Sequence, residues 1–314
     1  MTTRVYKSTD ASAPNLTGQA GSLTDLLNAC LVAGYGALAA AGWSRPYYDA
    51  TSKTAVFRPG AGPQHYFQVA DNGPGAGGAK EARIRGYVSM SAYNTGTEPF
   101  PTAAQATNAL CIRKSTAADA TVRAWNLIAD EKTAYLLIDA GDPSNGPILY
   151  FFGAFNSWKS ADSYASYLGA KPVENSSTIS TANAPMIYTD GILSTTTAAY
   201  APRSYSGSGT AVTLTQRPNA SLAQQTSATV IGSAGQTWPN PADGAMLLSP
   251  IYIGEGINIR GTHRGLWQPC HAKPIVQGDT FSAADGATTR DFIAMNLYTS
   301  GQVFLETSNT WDTP

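Results

Sequence analysis

The chain has 314 residues, of which 13% are Asp, Glu, Lys or Arg, about half of the roughly 25% usual in soluble domains. Its 20 basic and 21 acidic residues leave a formal net charge of -1, and no run of Lys or Arg forms a basic patch. This composition argues against contact with nucleic acid. A chain with so little charge must either cover its surface with neutral polar groups or hide part of it against other subunits, which is a first indication of an assembly component.

The N-terminal segment 1–7 lacks the apolar stretch of a signal peptide, and the longest apolar stretches are too short to cross a bilayer. We therefore expect a protein that is made in a cytoplasm and does not insert into a membrane. The three cysteines show no Cys-x-x-Cys spacing, which predicts buried free thiols at Cys30, Cys111 and Cys270.

The first predicted element is an amphipathic helix that begins near Ser22 and ends at Gly34. Ser22 is a suitable N-cap, and Gly34 can adopt the left-handed conformation that ends many helices. The apolar residues follow the i, i+3, i+4, i+7, i+8 spacing of one helix face, at Leu23, Leu26, Leu27, Cys30 and Leu31. One face of this helix should pack on a sheet.

Short aromatic or β-branched segments between Gly/Pro turns predict the first strands of that sheet at 53–58, 65–70 and 82–90. A second short helix is predicted at 102–109, directly after Pro101.

Three consecutive apolar segments predict an antiparallel meander at 122–129, 134–140 and 147–155. Their apolar content is so high that one face must be buried and the other at least partly covered. Residues 1–171 are therefore predicted to form an α+β N-terminal lobe, with one or two helices on this meander.

A segment rich in Ser, Thr, Asn and Ala at 171–199 predicts a loop-rich boundary that packs in place. Beyond it, strands are predicted at 211–215, 246–253, 292–298 and 302–306, the last two forming a hairpin. Residues 172–314 are therefore predicted to be a mainly-β C-terminal lobe. The fold class predicted for the whole chain is β-rich α+β.

The motifs predict no catalytic, cofactor-binding or metal-binding residue. The glycine-rich loop 71–78 lacks the Gly-Lys-Ser/Thr ending of a phosphate-binding loop and precedes a strand. His263, Cys270 and His271 have no partner at zinc-like spacing. There is no Gly-x-Ser-x-Gly motif, and the acidic pair at 130–131 is typical of a solvated turn rather than a glycosidase.

Four tryptophans are candidates for contact with a partner or a ligand: Trp43, Trp238, Trp267 and Trp311. Trp43 follows the first helix, and the other three lie in loop-like or terminal segments. Exposed indole rings could stack on sugars or anchor a subunit interface, whereas buried rings would belong to the core, which is the commoner fate.

Several segments of the chain resemble a group of uncharacterised virion structural proteins from tailed bacteriophages. They are Thr3–Ala11, Gly34–Trp43, Asp71–Ala79 with the following Glu81–Arg83, and Leu305–Trp311. The similarity runs through most of the chain, contains no catalytic signature, and transfers no functional residue. It implies a component of the tail, baseplate, neck or capsid surface.

The favoured hypothesis is a non-enzymatic structural component of a tailed-phage virion, at the tail or baseplate and present as a homo-oligomer. Its partners would be copies of itself and other virion proteins, and it would hold no cofactor. One alternative is a module of the particle that binds host surface glycan or another receptor through aromatic side chains. Further alternatives are a capsid decoration or neck protein, and a cell-wall or capsule hydrolase with two convergent acids.

Overall fold

The computed structural model describes residues 2–73, 78–142, 147–170, 199–217, 248–269, 276–285, 288–297 and 301–312. Within these ranges the protein is β-rich, with two antiparallel sheets and one short α-helix. The predicted β-rich character is therefore confirmed.

The strands are short to medium in length and alternate with turns along the whole described chain. In chain order they are β1 (Arg4–Lys7), β2 (Ser44–Asp49), β3 (Thr54–Arg58), β4 (Tyr66–Ala70), β5 (Glu81–Ala92), β6 (Thr95–Phe100), β7 (Leu110–Arg113), β8 (Ala124–Ala129), β9 (Thr133–Asp139), β10 (Ile148–Ala154), β11 (Asn156–Ser157), β12 (Ser166–Gly169), β13 (Ala199–Ala201), β14 (Val212–Arg217), β15 (Leu248–Glu255), β16 (Asn258–Pro269), β17 (Thr280–Asp285), β18 (Thr288–Leu297) and β19 (Gly301–Glu306). The predicted strands match β3 to β5, β8 to β10, β14, β15, β18 and β19.

The helix α1 (Ser22–Leu27) begins at the predicted residue and continues as a π-helical turn over Asn28–Ala33. Gly34 ends it as predicted, but with a φ of 80° and a ψ of 167° it has a positive-φ conformation open to glycine and not the predicted left-handed one. The first turn is capped from a distance, because the Asp71 carboxylate accepts hydrogen bonds from the backbone N–H groups of Leu23 and Thr24. The N-cap residue itself is Gly21 rather than the predicted Ser22.

The second predicted helix, at 102–109, does not form. The N–H groups of Gln105 and Ala106 bond to the Thr102 carbonyl in a single turn, and no further helical turn follows. The carbonyl oxygens of Ala106 and Thr107 instead accept hydrogen bonds from the Arg85 guanidinium on β5. These side-chain bonds satisfy backbone groups that would otherwise continue a helix.

The smaller sheet has the strand order β2-β3-β4-β5-β6, and β7 pairs with the first part of β5. The larger sheet has the order β1-β8-β9-β10-β12-β13-β14-β15-β16-β19-β18-β17, and β11 pairs with β16. The hairpin predicted from the last two strands is confirmed by the pairing of β18 with β19.

The strands β8, β9 and β10 form the predicted antiparallel meander, and both of its faces are buried. Alternate side chains enter two different hydrophobic cores because successive residues of a strand point to opposite faces. One core contains Leu127, Leu136 and Phe152 together with side chains of α1, β3 and β4. The other contains Ile128, Tyr135 and Phe151 together with side chains of β15, β16, β18 and β19.

The predicted lobe boundary at residues 171 and 172 falls between two strands that pair directly. Leu168 of β12 lies opposite Tyr200 of β13 in the larger sheet. The backbone hydrogen bonds of this sheet therefore run from the first predicted lobe into the second.

The two ends of the described chain lie side by side. The Thr3 backbone N–H donates to Asn309 Oδ1 at 2.7 Å, and the Thr3 hydroxyl donates to the Ser308 carbonyl at 2.9 Å. Residues that are 305 and 306 positions apart in sequence are thus in direct contact.

Cys30 and Cys111 are buried free thiols, as predicted, whereas Cys270 lies outside the described residues. None of the helices in the described ranges has the length and the apolar composition needed to cross a membrane.

Ten charged side chains of the described residues are buried, which is an unusual number for groups that are normally solvated. All ten lie in ion pairs, including Lys114 with Asp71 and Arg264 with Asp130. The complete set is Asp71, Glu81, Arg83, Arg113, Lys114, Asp130, Arg260, Arg264, Arg290 and Glu306. The surface therefore carries even less charge than the composition indicates.

Lys114→Met should destabilise the protein by about 3–5 kcal/mol, because it leaves the Asp71 carboxylate buried without its cation. Adding Asp71→Asn should recover most of this loss, since an amide oxygen still accepts from the first turn of α1. The measurement is the urea unfolding midpoint at a constant m value.

The matched control is Lys132→Met, which removes a lysine from a partly exposed pair with Asp312. It should cost less than about 1 kcal/mol. Equal losses of unfolding free energy for Lys114→Met and Lys132→Met would show that the buried Lys114–Asp71 pair stabilises the fold no more than an exposed pair does.

Candidate functional site

An opening in the larger sheet lies beside β16, where this strand changes its neighbour. Gly261 and Thr262 pair with β11, whereas Leu266 and Trp267 pair with β19, and β15 occupies the other side. Residues 263–265 therefore have no described strand partner on the side shared by β11 and β19. Gly265 has a φ of 63° at this position.

A cleft of about 220 Å³ occupies this opening, and we call it the aromatic cleft. Its aromatic lining consists of Trp158, Tyr252, Trp267 and Trp311, and its polar lining includes Asn156, Thr262, His263 and Glu306. The combination of flat apolar rings and a few polar groups is typical of small-molecule sites.

Trp158 is the most exposed side chain of the aromatic cleft, with 61% of its surface accessible. Its backbone N–H donates to the Arg260 carbonyl at 2.9 Å, and its ring meets Tyr252 edge-on with centroids 5.9 Å apart. The Arg260 guanidinium is itself buried and bonds to Asp162 and Glu255. An exposed indole is thus attached to a rigid base rather than to a free loop.

Trp267 forms the opposite wall, and its position is held by polar contacts. The indole N–H donates to Glu306 Oε2 at 3.1 Å, and the Arg290 guanidinium lies 5.3 Å from the ring centroid. The Glu306 carboxylate also pairs with Arg290 and accepts from the hydroxyls of Ser308 and Thr310. The single carboxylate in the described lining is therefore neutralised and fully occupied.

Trp311 is buried and forms the floor of the cleft. Its indole N–H donates to the Glu306 carbonyl at 2.9 Å, and its ring lies against the backbone of Gly265. A Cβ atom at position 265 would come within 2.3 Å of Trp311 Nε1. Glycine is needed here both for this close approach and for the positive φ.

A buried hydrogen-bonded group lies below the floor. The Tyr135 hydroxyl donates to the Arg264 carbonyl at 2.8 Å. The Tyr167 hydroxyl lies 2.9 Å from the Tyr135 hydroxyl and 2.8 Å from His263 Nδ1. Burial lowers the pKa of His263 to about 3, so its imidazole is neutral at neutral pH. The cleft therefore gains no positive charge from this side chain.

A second concavity of about 340 Å³ lies on the other side of Trp158. Tyr205 and Ile259 line this concavity, and Ile257 lies two residues before Ile259 in the β15–β16 hairpin; we call these three exposed apolar side chains the hairpin surface. Ile257 stands at the tip of the β15–β16 hairpin with 95% of its side chain exposed, and Tyr205 and Ile259 are also exposed. Hairpin tips usually carry Gly, Asn or Asp, so an isoleucine there is unusual.

The four tryptophans predicted from the sequence occupy different environments. Trp43 is buried in the first core and donates from its indole N–H to the Asp130 carbonyl at 2.7 Å. Trp267 and Trp311 meet in the aromatic cleft, whereas Trp238 lies outside the described residues. A contact role remains a prediction for Trp267, and the burial of Trp43 and Trp311 places their rings among core side chains.

Sequence reasoning did not select Trp158. The signal available was a single aromatic residue within the polar run Asn156-Ser157-Trp158-Lys159-Ser160, where no apolar periodicity explains its presence. Such a residue has no neighbours in sequence with which to form a buried face.

The other motifs contribute no site within the described ranges. Residues 74–77 of the glycine-rich loop, Cys270 and His271 lie outside these ranges. No group of three or more His, Cys, Asp or Glu residues in the described part of the chain is placed to hold a metal ion.

Folding stability should fall as the pH is lowered from 7 to 5. Burial lowers the pKa of His263 to about 3 and that of His65 to about 4, whereas both imidazoles titrate near 6.5 when unfolded. The unfolded chain therefore binds protons that the folded chain excludes, and each histidine should cost roughly 1 kcal/mol per pH unit.

Urea unfolding at several pH values measures this slope. His65→Phe should reduce the slope of stability against pH, because it removes an imidazole that binds a proton only in the unfolded chain. The fold should accept the phenyl ring, because His65 Nδ1 makes no hydrogen bond and the imidazole packs against Phe100 and Tyr164. An unchanged slope in this variant would show that His65 is not excluded from protonation in the folded state.

No model of a known protein family matches the chain, and no curated protein matches it significantly.

Proposed function

We propose that the protein is a non-enzymatic structural component of a tailed-phage virion. It lies at the tail or baseplate and contacts copies of itself and other virion proteins. The observation that carries this proposal is the hairpin surface, where Tyr205, Ile257 and Ile259 expose apolar side chains together. Exposed apolar side chains that lie near one another are typical of protein interaction sites.

The distribution of charge supports the same function. Ten charged side chains of the described residues are buried, so the surface carries less charge to oppose the close approach of another subunit than the composition indicates. Covering a neutral surface requires little desolvation of charge, whereas burying an unpaired ion is costly.

In this proposal an α+β N-terminal lobe at 1–171 and a mainly-β C-terminal lobe at 172–314 have different roles. All three residues of the hairpin surface belong to the second lobe. In the assembled particle this lobe makes the contact with the neighbouring subunit, and the first lobe stiffens it through the shared sheet.

Purified particles provide the direct test of the virion assignment. Particles of a phage that encodes this chain should contain it in stoichiometric amounts by quantitative mass spectrometry. Its absence from the particles would refute the proposal.

Ile257→Asp should abolish incorporation when the variant is supplied to a phage that lacks the wild-type gene. A carboxylate at this position would have to be desolvated in the interface without a partner. The isolated variant should keep its thermal stability within about 0.5 kcal/mol, because surface substitutions of this kind rarely cost more.

The matched control is Val122→Asp, which adds the same charge at another exposed apolar side chain. This variant should be incorporated normally. Particles that contain Ile257→Asp at the wild-type level would exclude the hairpin surface as the contact, while leaving the virion assignment itself intact.

A further inference from the structure

We propose that the aromatic cleft binds a neutral pyranose unit of a glycan, with the indole of Trp158 as the stacking surface. Trp158 also lines the second concavity beside the hairpin surface, but the proposed ligand site is the aromatic cleft and does not depend on the virion assignment. The inference follows from the shape, the polar edge and the charge of the cleft.

The shape fits one sugar ring. A pyranose has a C–H face and hydroxyl groups around its edge, so it binds to a flat aromatic ring flanked by polar groups. Trp158 exposes most of its indole, while Tyr252 and Trp267 bound the same cleft. The cleft volume of about 220 Å³ is below the roughly 300–1,000 Å³ of pockets for drug-sized ligands.

The edge of the cleft offers polar groups that the protein itself does not use. Within the described residues, the hydroxyls of Thr262 and Tyr252 form no side-chain hydrogen bond. The Asn156 amide nitrogen donates to the Trp311 carbonyl at 2.9 Å, which fixes the side chain and leaves its oxygen as an acceptor. Hydroxyl and amide groups of this kind can both donate to and accept from sugar hydroxyls.

The charge of the cleft selects a neutral ligand. The Glu306 carboxylate is paired with Arg290 and accepts from Trp267, Ser308 and Thr310. His263 is held neutral by burial. No unneutralised cation in the described lining would attract a sialic acid or a phosphate.

The same arrangement favours binding over hydrolysis. Cleavage by paired carboxylates needs two acids on either side of the glycosidic bond. Glu306 is the one carboxylate in the described lining, and its oxygens are already occupied by hydrogen bonds.

The cleft is organised before any ligand arrives. The β11–β16 pairing, the Trp158 N–H bond to Arg260 and the close contact of Trp311 with Gly265 all fix its walls and floor. A site that needs little ordering loses less free energy on binding.

Saturation-transfer difference NMR with the full chain tests this proposal. The probes are the methyl glycosides of glucose, galactose, mannose, rhamnose and N-acetylglucosamine, each at millimolar concentration. At least one should receive saturation, mainly on the C–H protons of one ring face. Methyl N-acetylneuraminate glycoside in its ionised form should receive less.

Trp158→Ala should weaken the association of the bound glycoside at least tenfold, and Thr262→Val should weaken it several-fold. Tyr93→Ala is the control, because Tyr93 is an exposed aromatic residue near β5 and β6, away from the cleft. It should leave binding unchanged. Near-ultraviolet circular dichroism of each variant confirms that the fold is retained.

Two results would overturn the inference. One is the absence of saturation transfer to all five neutral glycosides. The other is transfer that persists at full strength in both Trp158→Ala and Thr262→Val. Neither result bears on whether the chain is found in purified particles, so the two proposals can fail independently.

Discussion

The central strands β8, β9 and β10 must be covered on both faces, and this requirement places most of the other elements. Leu136 and its neighbour Tyr135 on β9 point into different hydrophobic cores, so other elements must pack against both faces of this strand. The smaller sheet and α1 supply one layer. The other layer is supplied by the larger sheet itself, which folds back so that β15, β16, β18 and β19 face the meander.

This folding back brings charged side chains into the interior and explains how they are tolerated. Arg264 on β16 bonds through its guanidinium to Asp130 at the β8–β9 turn and to Asp312 near the C-terminus. These two ion pairs of Arg264 connect three parts of the chain that are far apart in sequence. Their geometry also supports Trp311, whose ring lies 5.6 Å from the guanidinium and forms the floor of the aromatic cleft.

The elements that could be predicted are those whose pattern of apolar residues lies within a single segment of the sequence. The meander and α1 carry their own periodicity, whereas β16 contains Arg260, His263 and Arg264, which become buried only through partners far away in sequence. The cleft was harder still to predict. Trp43 and Trp158 are the same residue type, and their different exposure depends on contacts such as the one between Trp43 and Asp130, 87 residues apart.

The contact of Thr3 with Ser308 and Asn309 has a consequence for the connectivity of the molecule. A linker from Asp312 back to Thr3 would close the backbone into a ring and would keep Trp311 and Asp312 in their contacts. The chain could then be opened at an exposed turn instead, as circular permutation commonly allows. The fold is therefore defined by the order of strands within its sheets, and the place where the backbone is interrupted is free to change.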